Sequence, residues 1–93
     1  LTLAYLAYQK SLNGKPGPVL NGFTSDQRFF IGWAQVWRTN ARPEFLRQQV
    51  FTDPHSPAQF RVNGTVSNMP TFAKAFNCPK GSPMVSEAGC RIW

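Results

Sequence analysis

Metal-binding side chains are scarce in this sequence. Its 93 residues include one histidine, two cysteines and four carboxylates. A structural zinc site needs about four closely spaced ligands, and the separation of Cys78 and Cys90 fits no zinc pattern. The sequence therefore predicts no metal site made within this chain.

Long apolar runs and targeting signals are also absent. No stretch is long enough to span a bilayer, and no charged segment followed by an apolar one indicates a signal peptide. The chain opens at Leu1, in what reads as the middle of a helix with no capping residue before it. We therefore expect the 93 residues to be cut from a longer protein, and such a piece would lack both signals even if that protein were exported.

Acidic residues are few, so the chain is basic. Ten Lys and Arg against four Asp and Glu give a formal charge of +6. Such a charge is compatible with a nucleic-acid partner. The basic residues nevertheless occur singly along the chain, with no basic run and no RNA-binding motif. We therefore expect no nucleic-acid partner.

Aromatic residues, by contrast, are abundant. Eight Phe, three Trp and two Tyr are more than one small domain of 93 residues needs for its core. We expect part of this apolar surface to pack against something else. Either a missing part of the same protein or a second copy of the chain would serve.

The periodicity of apolar residues predicts a mainly α fold of about four helices joined by long loops. We expect helices at residues 1–12, at 26–39 behind a cap at Thr24 or Ser25, at 43–51 with Pro43 in the first position, and at a short stretch that includes Pro70 and is capped by Ser67 or Asn68. The first should be mostly buried. Residues 62–66 contain Asn63-Gly64 and are expected to be extended or turn-like.

The segment from Thr52 to Val62 carries the only histidine. Pro54 and Pro57 flank His55, and proline restricts both its own backbone and that of the preceding residue, so we expect a stiff, non-helical turn. Asp53 precedes the ring and Arg61 follows it. An imidazole and a guanidinium held in this way could stabilise an oxyanion and bind a carbonyl. The alternative is a surface turn that Asp53 caps, with His55 and Arg61 merely solvated.

Six motifs follow one another along nearly the whole chain: Gln27-Arg28-Phe29-Phe30, Ala34-Gln35-Val36-Trp37, Arg42-Pro43-Glu44, Asp53-x-His55-Ser56-Pro57-x-x-Phe60-Arg61-Val62-x-Gly64-Thr65, Phe72-x-x-Ala75-Phe76-x-Cys78 and Cys90-Arg91-Ile92-Trp93. In this order they resemble the C-terminal end of the neprilysin and endothelin-converting-enzyme family of zinc metallopeptidases. Each segment alone is weak, but agreement over so many spaced positions is specific. The resemblance implies that residues 1–93 are the C-terminal part of a zincin-type catalytic domain, and a bacterial endopeptidase is expected.

The family binds one catalytic zinc through a His-Glu-x-x-His helix and a glutamate further along, and it cleaves peptides on the amino side of hydrophobic residues. Neither zinc-binding segment is present here. The resemblance therefore implies zinc in the full-length enzyme, none bound by this chain, and no activity for the chain alone. Peptide substrates and the missing N-terminal part of the enzyme are the expected partners.

The resemblance also assigns roles to particular residues. His55 matches the histidine that helps to stabilise the tetrahedral intermediate, and Asp53 matches an acidic residue that could orient its ring. Arg61 matches the arginine that binds the substrate carbonyl just after the scissile bond. Three apolar residues match the lining of the pocket for the hydrophobic side chain at that position: Val36, Trp37 and Val62.

The cysteines depart from the family pattern. Arg38 stands where vertebrate members carry a cysteine, so one family disulfide is absent. Cys78 and Cys90 match cysteines that in those members bond to partners earlier in the chain, and whether they pair with each other is open. Cysteines of this kind suit an exported protein, so we expect the catalytic domain to be extracellular, periplasmic or membrane-anchored outside the cytoplasm.

A different reading of the same composition is an independent small module. A basic, aromatic, helical domain of this size could bind a protein or peptide without catalysis. The two readings differ in what lies upstream of Leu1, because only an enzyme would carry the zinc-binding segments there.

Overall fold

Five helices make up the computed structural model, which describes residues 1–90. They are α1 (Thr2–Ser11), α2 (Ser25–Val36), α3 (Pro43–Thr52), α4 (Ala58–Val66) and α5 (Pro70–Ala75). Within these residues the only β feature is an isolated antiparallel bridge between Leu20 and Phe23. The predicted mainly α class is confirmed, with five helices where the sequence predicted four. The terminal motif residues Arg91, Ile92 and Trp93 lie outside the described residues.

Helix α2 is the central element, and its start follows from a capping box. The Thr24 hydroxyl accepts the N–H of Gln27, and the Gln27 side chain accepts the N–H of Thr24. The predicted cap at Thr24 is thus confirmed. The helix ends at Val36, short of the predicted 39, and Trp37 closes it.

A small aromatic core lies where α2 packs against α4 and α5. Its buried residues are Tyr5, Phe30, Val66 and Met69, and partly buried rings from α2 and α5 surround them. Phe30 is 2% exposed and lies edge-on to Phe72, with ring centroids 5.4 Å apart. Perpendicular aromatic pairs of this kind add stability beyond the area they bury.

Helix α1 is held to α2 through one carboxylate. Tyr5 donates its hydroxyl to one oxygen of Asp26 at 2.9 Å, and the Gln9 amide donates to the other at 2.7 Å. Burial and the bond to Asp26 raise the pKa of Tyr5 to about 12. The prediction that α1 is mostly buried is wrong, because Tyr5 alone is buried while Leu3 and Leu6 are 66% and 54% exposed. Only one side of the helix has a neighbour within residues 1–90.

The loop from α1 to α2 turns on glycine and asparagine. Asn13 and Gly14 have φ of 51° and 72°, so left-handed backbone follows the end of the first helix, as is typical of an Asn-Gly pair. Gly17 is needed for close approach, since a β-carbon there would lie 2.6 Å from Cβ of Ser25. Arg28 then fixes the loop from α2 by donating to the carbonyls of Pro18 and Phe23.

Helix α4 corrects a prediction. Residues 62–66, expected to be extended or turn-like, are helical, and Gly64 lies within the helix. A glycine inside a helix costs about 1 kcal/mol relative to alanine. Val66 offsets this cost because its side chain is only 2% exposed within the core, and burying a valine contributes roughly 1.5–3 kcal/mol.

The predicted short helix around Pro70 is present as α5, but it begins at Pro70 itself and its cap was misassigned. Met69 is the N-cap and makes no side-chain capping bond. Asn68 instead donates to the carbonyl of Gly64 and accepts the N–H of Cys90, so it fastens the C-terminal segment to the end of α4. Cys78 and Cys90 are both free thiols, not bonded to each other.

The molecule is extended for its length. Its radius of gyration is 15.2 Å, whereas a compact domain of this size has about 12 Å. Its accessible surface is 7419 Å², about 2,000 Å² above that of a folded monomer of 10.5 kDa. Helix α3 buries no residue at all, and Phe51 on it is 88% exposed. This excess surface includes large apolar side chains on α1, α2, α3 and α4.

Candidate functional site

A five-residue turn at 53–57 connects α3 to α4 and presents the histidine. Asp53 ends α3 with extended backbone angles, and Pro57 precedes the first residue of α4 in a similarly extended conformation. Proline at 54 and 57 prevents either helix from continuing through the turn. The predicted non-helical turn is therefore present around His55, although Arg61 and Val62 lie beyond it, on α4.

Within the turn, Asp53 holds His55 at two points. One carboxylate oxygen, Oδ1, accepts the backbone N–H of His55 at 2.8 Å. The same oxygen lies 2.9 Å from the ring atom Nδ1. Binding of Nδ1 by a carboxylate favours a proton on that nitrogen and fixes the plane of the ring. The other ring nitrogen, Nε2, is the one left to meet a ligand.

The electrostatics of the turn favour a charged Asp53. The backbone hydrogen bond from His55, followed by the contact with its ring, lowers the pKa of the Asp53 carboxyl below its ordinary value. The Arg61 charge acts in the same direction, to a smaller extent. Asp53 is thus an anion throughout the neutral pH range, as its predicted role in orienting the His55 ring requires.

Arg61 is held by two contacts from different parts of the chain. Its Nε donates to the carbonyl of Ser56 at 3.1 Å. Its guanidinium carbon lies 4.6 Å from the centre of the Trp37 ring, within the range of a cation–π contact. Trp37 in turn lies edge-on to Trp33, with ring centroids 5.7 Å apart. The aromatic face that ends α2 therefore supports the arginine of α4.

An open cleft of about 680 Å³ brings four of the predicted site residues together: Trp37, Asp53, His55 and Arg61. A smaller hollow of about 370 Å³ has both Trp37 and Val62 in its lining. Val36 lines neither cavity and is 72% exposed. The structure thus groups the polar residues with Trp37 in one cleft, places Val62 in a second hollow that Trp37 also lines, and leaves Val36 outside both.

Sequence reasoning missed the opposite wall of the cleft. It consists of the connection between α2 and α3 and the first turns of α3: Thr39, Asn40, Ala41, Arg42, Phe45, Leu46 and Gln49. The Ser56 carbonyl was also missed. No pattern in the sequence marks a backbone oxygen or a loop as part of a site, because their positions follow from the path between two helices.

Side chains that could bind a metal are not clustered in the described part of the chain. Within 1–90, no three His, Cys, Asp or Glu side chains are grouped so that they could hold a metal ion. Asp53 and His55 contact each other, and no third such side chain joins them there. The residues present therefore do not fit a zinc site. None of the helices in this part of the chain is both long and apolar enough to cross a membrane.

Comparison with known proteins identifies the family. Residues 1–92 match the model of peptidase family M13. The chain is 50% identical over 94 residues to mouse membrane metallo-endopeptidase-like 1, with 97% of this chain and 12% of that protein covered. It is 46% identical over 97 residues to mouse endothelin-converting enzyme 1, with 100% of this chain and 12% of that protein covered.

A solved structure shows the same fold. The zinc metalloprotease Zmp1 of Mycobacterium tuberculosis, in an open state, superposes with a TM-score of 0.88 at 46% identity. The match covers 95% of this chain and 14% of that one. This chain belongs to peptidase family M13. It spans about an eighth of the length of the relatives it matches.

Proposed function

We propose that residues 1–93 form the C-terminal part of the catalytic domain of a zinc-dependent metalloendopeptidase that hydrolyses peptides on the amino side of hydrophobic residues. The observation that carries this proposal is the single cleft in which His55, Arg61 and Trp37 meet. Membership of family M13 and the similarity to the zinc metalloprotease Zmp1 support the reaction class.

His55 stabilises the developing oxyanion. Hydrolysis of a peptide places negative charge on the carbonyl oxygen, and a donor already aimed at that position stabilises the transition state more than the substrate. In the doubly protonated ring both nitrogens donate, and Nε2 of His55 is the donor free for the oxyanion because Asp53 occupies Nδ1. Asp53 orients the ring through this contact.

Arg61 binds the backbone carbonyl of the residue after the scissile bond. Its Nε is occupied by Ser56, so the terminal nitrogens carry the donors that remain for substrate. The hydrophobic side chain of that substrate residue packs against an apolar wall formed by Trp37 and Val62, which share a hollow. Val36 lines neither cavity within residues 1–90 and is assigned to the same wall by the family resemblance alone. In the full-length enzyme other segments complete this wall.

Zinc belongs to the full-length enzyme and not to these residues. The described part of the chain offers no ligand set for it, so the metal and its ligands lie elsewhere in the protein. A catalytic zinc polarises a carbonyl and activates water. The contribution of this chain is limited to binding the substrate and sharing the charge of its carbonyl oxygen.

The excess surface fits a segment of a larger fold better than an independent binding module. The chain exposes about 2,000 Å² more surface than a compact monomer, which exceeds the roughly 800 Å² that one partner contributes to a standard protein–protein interface. The missing N-terminal part of the enzyme is the partner that would cover it. We also place the catalytic domain outside the cytoplasm, exported or membrane-anchored. Cys78 and Cys90, which are free thiols within residues 1–90, would there bond to cysteines of that N-terminal part.

The proposal is tested on the full-length protein that contains this chain. Its zinc content is measured, and cleavage of a peptide library is mapped by mass spectrometry with and without a chelator. We expect chelator-sensitive cuts before Phe, Leu or Ile, and much slower cleavage of matched peptides with Gly or Asp there. Cleavage that ignores the chelator, or no cleavage by the zinc-loaded protein, would contradict the proposal.

A further inference from the structure

The ring of Trp37 lies against the guanidinium of Arg61, while the indole N–H of Trp37 has no hydrogen-bond partner within the described residues. This indole nitrogen, Nε1, is buried. A phenylalanine or leucine here would bury no unpaired N–H, and burying one is unfavourable. The residue type is therefore explained better by the aromatic face than by the polar group. Of the aromatic side chains, indole offers the best face for a cation.

The guanidinium beside that face is restrained in two directions. The Trp37 ring covers one side of the guanidinium group at 4.6 Å. The Ser56 carbonyl binds Nε at one edge, 3.1 Å away. A guanidinium is planar and has five N–H donors, so fixing Nε and one face leaves the edge with the two terminal nitrogens open.

We propose that Trp37 is a positioning residue: its indole face, together with the Ser56 carbonyl, fixes the plane of the Arg61 guanidinium so that the terminal nitrogens meet a peptide backbone carbonyl. This inference rests on the proposed function, in which Arg61 binds substrate. It assigns Trp37 a second task besides lining the hydrophobic pocket.

Fixing the conformation of Arg61 before substrate binds matters because its side chain is long and has many rotamers. An unrestrained arginine loses conformational freedom whenever it binds a ligand, whereas a stacked one has already lost it. The contact is made before substrate arrives, so its loss weakens binding of substrate and transition state alike. We therefore expect substitution of Trp37 to raise KM more than it lowers kcat.

The test is a double-mutant cycle in the full-length protein, with Trp37→Leu and Arg61→Ala made singly and together. We expect Trp37→Leu to reduce kcat/KM about five- to tenfold when Arg61 is present, the range expected for a partly buried cation–π contact. The same substitution should reduce it less than about twofold when Arg61 is already alanine. Equal losses in both backgrounds would mean that Trp37 acts only as a pocket wall, and would overturn the inference.

Trp37→Phe is the conservative variant and guards against misfolding of Trp37→Leu. It keeps a face for the guanidinium and removes the unpaired N–H, so it should recover most of the loss without lowering the melting temperature. A Trp37→Phe enzyme as impaired as Trp37→Leu, at an unchanged melting temperature and zinc content, would count against stacking.

Binding of a small probe separates this inference from the proposed function. Calorimetry with the dipeptide Phe-Ala amide measures carbonyl binding without hydrolysis, and Trp37→Leu should raise its dissociation constant about five- to tenfold. A protein that binds the probe in this Trp37-dependent way but cleaves no peptide would refute the peptidase proposal alone. A protein that cleaves peptides but whose affinity for the probe does not respond to Trp37, or that never binds the probe, would refute the positioning role.

Discussion

A single carboxylate oxygen of Asp53 contacts both the backbone N–H and the imidazole ring of His55. Oδ1 of Asp53 accepts the His55 N–H at 2.8 Å and lies 2.9 Å from Nδ1 of the ring. Both contacts span only two residues, so the turn itself orients the imidazole. The candidate oxyanion donor is thus set by local structure, while the residues around it come from other helices.

The titration of Asp53 should report this arrangement. Because its pKa is lowered in the folded chain, the stabilisation it gives the turn is complete above its ordinary value of 3.8 and is lost as the pH falls through the lowered one. The backbone hydrogen bond is the largest cause, so His55→Ala, which keeps that N–H, should restore the pKa only in part. Carboxyl chemical shifts of the labelled chain measure both values. Complete restoration in His55→Ala would show that the ring is the dominant partner.

Removal of the imidazole should affect the rate more than substrate binding. If Nε2 of His55 acts mainly in the transition state, His55→Ala in the full-length enzyme lowers kcat with little change in KM. The loss of one oxyanion donor costs about a hundredfold or more. Steady-state kinetics normalised to bound zinc, beside melting curves, provide the measurement. An unchanged kcat would remove His55 from the mechanism, and a lowered melting temperature alone would indicate a structural role.

Arg61 should behave differently from His55. It binds a carbonyl that exists in both the substrate and the transition state, so Arg61→Ala should raise KM at least as much as it lowers kcat. Arg61→Lys should recover only part of the loss, because an ammonium cannot reproduce the planar set of donors. Full activity in the lysine variant would show that charge alone is required.

The 93 residues alone should bind no catalytic zinc and cleave no peptide. Within residues 1–90 no ligand set exists for the metal, and no general base has been identified. Zinc content after dialysis and a fluorogenic peptide assay, with and without chelator, check this expectation. Chelator-sensitive hydrolysis by the purified chain would contradict it.

The isolated chain should also self-associate through its uncovered apolar surface. Helix α3 buries no residue, and the Phe51 side chain on it is 88% exposed. Phe51→Gln should shift sedimentation velocity profiles towards the monomer, whereas Gln48→Ser, an exposed polar change on the same helix, should not. Monomeric behaviour of the unmodified chain at high concentration, without binding of an apolar dye, would refute this expectation.

Where a helix start or end carries a local signal, the sequence indicates its position. Thr24 with Gln27 marks the start of α2, Pro43 the start of α3, and Asn13-Gly14 the end of α1. Helix α4 was missed because Asn63-Gly64 is typical of a turn. The signal that favoured a helix was present in Ala58, Val62 and Val66, which recur every four residues.

Burial could not be predicted in the same way. The apolar circumference of α1 suggested a buried helix, yet Leu3 and Leu6 are exposed because only one side of α1 meets another element of the described chain. Val36 was likewise grouped with Trp37 by sequence, but the helix ends between them. Periodicity shows which residues share a face, and it does not show whether anything covers that face.

The sequence by itself determined the family, because the order of its motifs along nearly the whole chain is specific. It also determined the helical class and the Asp53–His55 turn, because capping residues and two prolines act over a few positions. Only the tertiary structure decided that Arg61 lies against Trp37 and the Ser56 carbonyl, and that the connection from α2 to α3 forms the other wall of the cleft. Trp37 and Arg61 are 24 positions apart, and their contact depends on how α2 packs against α4. That packing depends on Val66 entering the core beside Phe30, a contact between distant segments that no local pattern specifies.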